Sequence, residues 1–197
     1  EKSNTRKEVD CTTYKRCGGC NMRHIKYEEA LKIKQNAVQA LVNKTLKNKI
    51  QVKPTIGMEN PLHYRNKAQY PIGMNKEGEP VIGVFANRTH EVIPMEKCLI
   101  QNPISEEIAK TVLEFIKENK ISIYNEKTVK GLFRHIVIKV GIKTNEIMCI
   151  LVINGEKIPK ENELIEILTK KYPNIKTIVK NINTKNTNVI LGNENIN

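Results

Sequence analysis

Apolar residues in one set of segments recur every three or four positions, a spacing that predicts α-helices. The longest such segment covers residues 27–47, and neither Pro nor Gly interrupts it. A second helix is predicted to open at Pro103 with Asn102 as its N-cap, because Pro lacks the N–H that the first turn leaves unpaired. A third covers Glu161–Lys171 and ends before Pro173. These segments supply the helical part of the predicted fold.

From residue 62 onward the apolar period changes to two, which predicts β-strands. The expected strands cover residues 64–72, 81–86, 90–93, 132–140, 146–153, 175–181 and 189–191. From residue 81 the main order is strand, helix, strand, strand, helix, strand. This order predicts an α+β fold, a mainly antiparallel sheet with two helices on one face in a split βαβ-like arrangement. An N-terminal cysteine-rich cluster loop and the long helix stand outside that unit.

The charge of the chain favours a polyanionic partner. The formal net charge is +12, and residues 1–60 hold 13 Lys or Arg against 6 Asp or Glu. Neutralising phosphates releases counterions, so such a surplus is typical of nucleic-acid binding; a generally Lys-rich proteome and an anionic membrane surface are the alternatives. No apolar stretch is long enough to span a bilayer, and the charged first ten residues do not resemble a signal peptide. We therefore expect a cytoplasmic protein with no membrane partner.

Three of the five cysteines, Cys11, Cys17 and Cys20, lie within ten residues of one another. In a reducing compartment such a cluster indicates a metal site more often than disulfides. Gly18 and Gly19 permit the tight backbone turn that lets two sulfurs converge on one centre. Glycine also allows backbone N–H groups to approach the thiolates.

The fourth ligand is predicted to be remote in sequence, with Cys98 and Cys149 as the candidates. Three bunched thiols plus a distant one favour a [4Fe-4S] cluster; zinc, and unliganded or disulfide-bonded cysteines, stay open as alternatives. Cys149 lies in an apolar strand, where cysteine acts as a small core residue. Spacing alone gives only a weak preference for Cys98.

Several further motifs follow the cysteines in order, up to about residue 192. They are YRNKAQ at 64–69, GVF at 83–85, GLFRHIVI at 131–138, NIN at 181–183 and TNVILG at 187–192. Together with the CxxxxxCGGC run at 11–20, the chain resembles the iron–sulfur 23S ribosomal RNA uracil-5 methyltransferases, which are related to the tRNA uracil-5 methyltransferases.

The resemblance implies a [4Fe-4S] cluster bound by Cys11, Cys17, Cys20 and Cys98. It also implies S-adenosylmethionine as the methyl donor of the intact enzyme and C5 of an RNA uracil as the target. Ribosomal RNA of the 23S class is the first expectation for the substrate, and transfer RNA is the alternative. We expect the cluster to be structural, because methyl transfer needs no electrons.

The same resemblance predicts a division of the chain. Residues 1–22 are expected to form a flexible lead and the cluster loop. Residues 23–58 are expected to form the long helix and a connector that packs on a methyltransferase domain of the same polypeptide. Residues 59–197 are expected to form a central α/β domain that contributes the fourth ligand. The OB-like and catalytic domains of such enzymes have no counterpart here, so we expect no catalytic residue and no methyl transfer by these residues alone.

Polar residues in three places are candidates for contact with RNA. A strand after a Pro turn carries two cations and an amide, two polar residues interrupt an apolar strand, and two cations project from the cluster loop. In the same order, these residues are Arg65, Asn66, Lys67, Arg134, His135, Lys15 and Arg16. The alternatives are a solvated strand edge, a satisfied buried polar group and an ordinary solvated loop.

Two other functions compete with the methyltransferase interpretation. One is a stand-alone, zinc-stabilised RNA-binding module without an enzymatic role. The other is an electron-transfer protein that uses the cluster for redox work, against which the basic charge argues.

Overall fold

The structure is a computed structural model that describes residues 3–47 and 50–197. The first two residues of the predicted lead, and residues 48 and 49 of the predicted connector, lie outside the described residues. The chain divides into two compact units, residues 1–61 and residues 62–197. In the described residues, no helix has the length and apolar character that a membrane crossing requires.

The N-terminal unit is built on helix α1, Tyr27–Leu46, close to the predicted 27–47. Glu28 and Glu29 in its first turn offset the positive end of the helix dipole. An extended segment after the helix is held along it by side-chain amides. Gln39 donates from Nε2 to the carbonyl of Ile50 at 3.0 Å and accepts at Oε1 the N–H of Val52 at 2.7 Å.

In residues 62–197, all of which the structure describes, seven strands form one sheet. They are β1 (Lys67–Met74), β2 (Pro80–Phe85), β3 (Val92–Pro94), β4 (Phe133–Val140), β5 (Ile147–Ile153), β6 (Ile175–Ile182) and β7 (Glu194–Ile196). Their order across the sheet is β3-β2-β1-β4-β5-β6-β7. Within this unit β5 and β6 pair in parallel and the other neighbours pair antiparallel. The α+β fold with a mainly antiparallel sheet is therefore confirmed.

Two helices, α2 (Pro103–Glu118) and α3 (Glu161–Lys171), connect strands of this sheet. Strands β2 and β4 both run antiparallel to β1, so they are parallel to each other with β1 inserted between them. With α2 in their connection, they form the predicted split βαβ unit. The second half differs, because β6 lies directly beside β5 and makes an ordinary βαβ unit with α3.

The predicted strand at 189–191 is wrong, since the last strand is β7, Glu194–Ile196. The side-chain amide of one asparagine takes the place of strand pairing there. Asn183 donates from Nδ2 to the carbonyls of Val189 at 2.8 Å and Ile190 at 3.0 Å. This pairing with side chains turns the segment into a loop.

Helices α2 and α3 pack on the same face of the sheet, where the main core lies. Among its fully buried side chains are Tyr70, Ile108, Phe115, Ile136, Leu164 and Leu168. Two hydroxyl pairs cross this core, Tyr70 with Ser105 at 2.9 Å and Thr111 with Tyr172 at 2.8 Å. They tie α2 to β1 and to the end of α3. The predicted N-cap is also present, because Asn102 accepts the N–H of Ile104 at 3.2 Å.

The packing of α3 gives a stability prediction. Leu168 is fully buried, whereas Ile165 lies exposed on the same helix. We expect Leu168→Ala to lower the free energy of unfolding by about 2–5 kcal/mol, because it leaves a cavity in the core. Ile165→Ala is the matched control and should change it by less than about 1 kcal/mol. Urea unfolding followed by circular dichroism measures both, and equal losses would contradict this assignment of the buried face.

Candidate metal and nucleic-acid sites

The cysteine loop, residues 11–20, is a series of tight turns in the N-terminal unit. The carbonyl of Thr13 accepts the N–H of Cys17 at 2.8 Å, and the carbonyl of Cys11 accepts the N–H of Tyr14 at 3.3 Å. The N–H of Gly19 donates to Sγ of Cys17 at 3.3 Å. A backbone N–H aimed at sulfur stabilises a thiolate, the form in which cysteine binds a metal or cluster.

An ion pair joins the residues on either side of the cysteine loop. Arg23 donates from Nε to one carboxylate oxygen of Asp10 at 2.6 Å and from Nη2 to the other at 2.7 Å. This hydrogen bonding lowers the pKa of the Asp10 carboxyl and raises the pKa of Arg23. The nearby Cys20 and Cys11 contribute to the raised pKa of Arg23. The two-point contact closes the loop at its base.

The donor set of the loop fits a thiolate-bound group chemically. All five cysteines carry free thiols, and Cys11, Cys17 and Cys20 are each half-buried. As they stand, the described residues bring no three His, Cys, Asp or Glu side chains together in an arrangement ready to hold a metal ion. The [4Fe-4S] ligand set therefore stays a prediction.

The two remaining cysteines lie in the C-terminal unit and differ in environment. Cys98 is half-buried at the edge of the core, and its N–H donates to a carboxylate oxygen of Glu106 at 3.3 Å. Cys149 is fully buried in β5, and burial raises the pKa of its thiol to about 12. Cys149 is thus the core residue that its apolar sequence context predicts.

The first predicted RNA-contact residues lie at the start of β1. Arg65 is half-buried, while Asn66 and Lys67 are exposed. Lys67 stands directly opposite Lys139 of β4, which is exposed too. Like charges on directly opposed strand residues repel each other, and a bound anion would relieve that repulsion.

These lysines lie on the helix-free face, the side of the sheet opposite α2 and α3. Side chains alternate along a strand, so Gln69 and Pro71 share this face with Lys67, whereas Tyr70 points into the helix-covered core. Their partners on β4 are Val137 and His135. This side of the β1–β4 pair therefore carries two lysines at one end, Lys67 and Lys139, and the Pro71–His135 pair further along.

Lys15 and Arg16 are exposed on the cysteine loop. The N–H of Arg16 donates to the carbonyl of Thr13 at 3.0 Å, which fixes the backbone of the turn that carries it. Their predicted role in RNA contact stays a prediction.

Arg134 is buried, with 4% of its surface exposed, and its guanidinium is used inside the protein. Nη1 donates to the carbonyls of Asn183 at 2.6 Å and Lys185 at 2.8 Å. The guanidinium also lies 4.1 Å from the ring centre of Tyr124. Of the two roles that the sequence left open, the Nη1 contacts correspond to a buried polar group that is bonded inside the protein, although Nε has no hydrogen-bond partner among the described residues. Contact between Arg134 and RNA stays a prediction.

His135 is also buried, with 6% of its surface exposed. Within the described part of the chain neither ring nitrogen has a hydrogen-bond partner. Burial first, and then the charges of Arg134 and His90, lower its pKa from 6.5 to about 4. The imidazole is therefore neutral at pH 7, with one nitrogen as donor and the other as acceptor.

A cavity of about 790 Å³ adjoins His135. We call it the His135 pocket, and its walls include Phe85, His90, Tyr124, Glu126, Arg134 and His135. Sequence reasoning named only Arg134 and His135 among these residues. Phe85 was visible inside the GVF motif at 83–85, but no spacing rule connects it with Tyr124 or Glu126.

The chain is similar to known proteins both in fold and in sequence. No protein-family model matches the chain. In fold, residues covering 96% of the chain match 40% of the chain in the crystal structure of Pyrococcus abyssi tRNA (uracil-54, C5)-methyltransferase in complex with S-adenosyl-L-homocysteine, with a TM-score of 0.68 and 23% sequence identity. The two chains therefore share a fold over this region.

Several proteins are similar in sequence as well. The chain is 44% identical over 196 residues to an uncharacterized RNA methyltransferase of Caldanaerobacter subterraneus subsp. tengcongensis, and 44% identical over 199 residues to one of Clostridium acetobutylicum. It is 38% identical over 196 residues to one of Staphylococcus aureus. In each case nearly the whole chain matches, but it spans only 43% of the relative's length.

The pKa of His135 gives a pH prediction. Its pKa is lower in the folded chain than in the unfolded one, so the unfolded state binds the proton first as pH falls. We expect the stability of the wild type relative to His135→Leu to be largest above about pH 6.5. It should fall as pH drops towards 4 and then level off, with a total change of up to about 3 kcal/mol.

Urea unfolding of both proteins at half-unit steps from pH 7.5 to pH 3.5 measures this difference. Parallel stability curves across the range would contradict the buried, neutral state of His135.

Proposed function

We propose that the chain is the cluster-bearing, RNA-binding part of an S-adenosylmethionine-dependent methyltransferase that methylates C5 of a uracil in RNA. The observation that carries this proposal is the 44% identity, along the whole chain, to proteins named RNA methyltransferases. The shared fold with a tRNA uracil-5 methyltransferase supports the choice of uracil C5. That neighbour's complex with S-adenosyl-L-homocysteine supports S-adenosylmethionine as the methyl donor of the whole protein.

The substrate is proposed to be 23S ribosomal RNA, on the motifs that the chain shares with the iron–sulfur enzymes of that class. Transfer RNA is the second candidate, and the structural neighbour is what favours it, since that protein acts on tRNA. In either case the basic composition suits an RNA partner in the cytoplasm.

Cys11, Cys17, Cys20 and Cys98 are the proposed ligands of a [4Fe-4S] cluster. Bound there, the cluster would supply a covalent cross-link among four thiolates. The chain's own residues prepare the loop: Gly19 donates an N–H to Cys17, and the Arg23–Asp10 ion pair closes the loop at its base. Zinc is the alternative occupant.

Phosphate contact is proposed for Lys67 and Arg65, with Lys139 beside them. Lys67 and Lys139 oppose each other on the helix-free face, so each raises the local positive potential at the other. The phosphates of an RNA backbone would interact favourably with both lysines and relieve the repulsion between them. Lys15 and Arg16 would add a second phosphate contact from the cysteine loop. We also propose that the groups that catalyse methyl transfer lie outside these 197 residues.

The metal content of anaerobically purified protein tests the ligand set. We expect a brown protein that contains iron and acid-labile sulfide. Cys20→Ser should lose most of the iron, and it should lower the free energy of unfolding by several kcal/mol and the RNA affinity together, because the loop loses its cross-link. The matched control is Cys149→Ala, which should keep the iron. One tightly held zinc per chain, without sulfide, would overturn the cluster.

RNA binding tests the partner. We expect the chain to bind a labelled single-stranded or hairpin RNA in fluorescence anisotropy, with an affinity that falls steeply as salt rises. Lys67→Gln and Lys139→Gln should each weaken binding to all sequences alike and reduce the salt slope by about 1. Lys157→Gln, an exposed lysine before α3, is the matched control and should leave the slope unchanged.

The same preparation, incubated with RNA and methyl-labelled S-adenosylmethionine, should transfer no label. Label in the RNA would contradict the proposal that the catalytic groups lie elsewhere, and absence of any RNA binding would contradict the proposed partner.

A further inference from the structure

We propose that the His135 pocket binds an unstacked nucleobase of the RNA, a site that rests on the proposed RNA-binding function and specifies where one base goes. The volume of about 790 Å³ is ample for a pyrimidine or a purine. Ligand sites of this kind are typically ring-lined cavities with a few convergent polar groups, and the pocket has both features.

Several buried polar atoms without hydrogen-bond partners belong to residues that line the pocket. Tyr124, Arg134 and His135 are 8%, 4% and 6% exposed and all line the pocket. In residues 3–47 and 50–197 the hydroxyl of Tyr124, Nε of Arg134 and both ring nitrogens of His135 find no hydrogen-bond partner. Buried polar groups in folded proteins are rarely left unpaired, because desolvation without a partner is costly. Several of them around one cavity indicate a missing hydrogen-bonding partner.

These unpaired atoms include both hydrogen-bond donors and acceptors. Arg134 Nε–H is a donor, the Tyr124 hydroxyl is donor and acceptor, and neutral His135 offers one donor and one acceptor. A ligand that presents donors and acceptors side by side in one plane complements this set. The edges of nucleobases have that pattern, whereas a phosphate offers only acceptors.

Aromatic rings also line the pocket. The ring centres of Phe85 and His90 lie 5.3 Å apart, with 31° between the ring planes, and those of Phe85 and His135 lie 6.0 Å apart, with 74° between the planes. The half-buried ring of Phe85 and the exposed ring of His90, in a pocket that polar side chains also line, give a base a surface on which to stack. Stacking on aromatic side chains is how proteins commonly hold single-stranded bases.

A weak contact joins two of the residues that line the pocket. His90 hydrogen-bonds to Glu126 through Nδ1, and the side chains of both residues are substantially exposed. Exposed pairs of this kind contribute little stability, so an entering base could displace the contact at small cost. Its displacement would make room for the base among the other lining residues, which include Tyr124, Arg134 and His135.

The pocket is also placed to receive a base from a strand held by the proposed phosphate contacts. Pro71 and His135 are strand partners, as are Lys67 and Lys139. The two pairs lie four residues apart on the helix-free face, or about 13 Å at the rise of a β-strand. That distance corresponds to roughly two nucleotides of extended backbone, so phosphate contact and base insertion are compatible.

A direct test uses nucleosides and does not depend on RNA binding. The chain has four histidines, so the ring signals of histidine-labelled protein can be assigned one by one in NMR spectra. We expect uridine or adenosine at millimolar concentration to shift the signals of His135 and His90 in a saturable way. His24 and His63 should not move, and ribose 5-phosphate should have no effect. No shift at about 10 mM of either nucleoside would overturn the proposal, and would mean that ordered water alone satisfies the buried atoms.

A second test uses RNA and separates the pocket from the proposed function. We expect Phe85→Ala to raise the dissociation constant for a hairpin RNA with an unpaired loop about tenfold, because one stacked base is lost. An RNA with an abasic loop position should bind wild type and Phe85→Ala equally. His90→Ala, at an exposed position that should not disturb folding, should also weaken binding, because it removes the second ring of the stacking surface.

The outcomes are distinct. If wild type binds RNA while Phe85→Ala binds the intact loop equally well and the nucleosides cause no shifts, the pocket proposal fails and the proposed function stands. If nucleosides shift His135 but no RNA binds, the pocket stands and the proposed RNA partner fails. Ile142→Ala, an exposed apolar deletion in the β4–β5 turn, is the control for loss of surface area.

Discussion

The buried guanidinium of Arg134 organises the centre of the C-terminal unit. It extends from β4 to the carbonyls of Asn183 and Lys185, beyond the end of β6, and so fixes the path of the chain across the sheet. Its hydrogen bonds to backbone carbonyls, together with the Tyr124 ring that it faces, offset much of the cost of burying the charge. Its neighbour His135 is also buried, and the imidazole is neutral at pH 7.

Adjacent residues of β4 thus have different roles: Arg134 holds the backbone of the protein, and His135 is a proposed contact for a nucleobase. The pairing of β4 with β5 shifts register between Phe133 and His135, where the strand changes from core packing to pocket lining. Irregularities of this kind re-aim side chains next to functional sites. Arg134 spends most of its hydrogen-bonding capacity inside the protein, while His135 keeps both nitrogens available.

Much of the fold followed from periodicity, because the helices and the central strands carry strong apolar patterns. Residues 161–171 and the insertion of a helix between β2 and β4 were both predictable on that ground. Side-chain-to-backbone bonding was not, since it leaves no period. Gln39 holds residues 50 and 52 along α1, and Asn183 turns residues 189 and 190 into a loop where a strand was expected.

The candidate sites divide in the same way. The spacing of the cysteines is a local feature of the sequence, so the loop at 11–20 could be predicted as a candidate metal site. The Arg23–Asp10 closure needs two residues 13 apart to meet, and the His135 pocket needs loops more than 30 residues apart, so neither leaves a local signal. Contacts that depend on tertiary assembly emerge only with the fold.

The insertion of β1 between β2 and β4 has a consequence for synthesis on the ribosome. Strand β1 ends at Met74, but its partner β4 begins only at Phe133. At typical elongation rates the interval is on the order of several seconds, during which the β1–β2 hairpin has one edge unpaired. An unpaired edge can recruit other chains, and a lysine on it discourages such pairing. Lys67 at the start of that edge would therefore discourage aggregation of the nascent chain, before it takes up its proposed contact with phosphate in the folded protein.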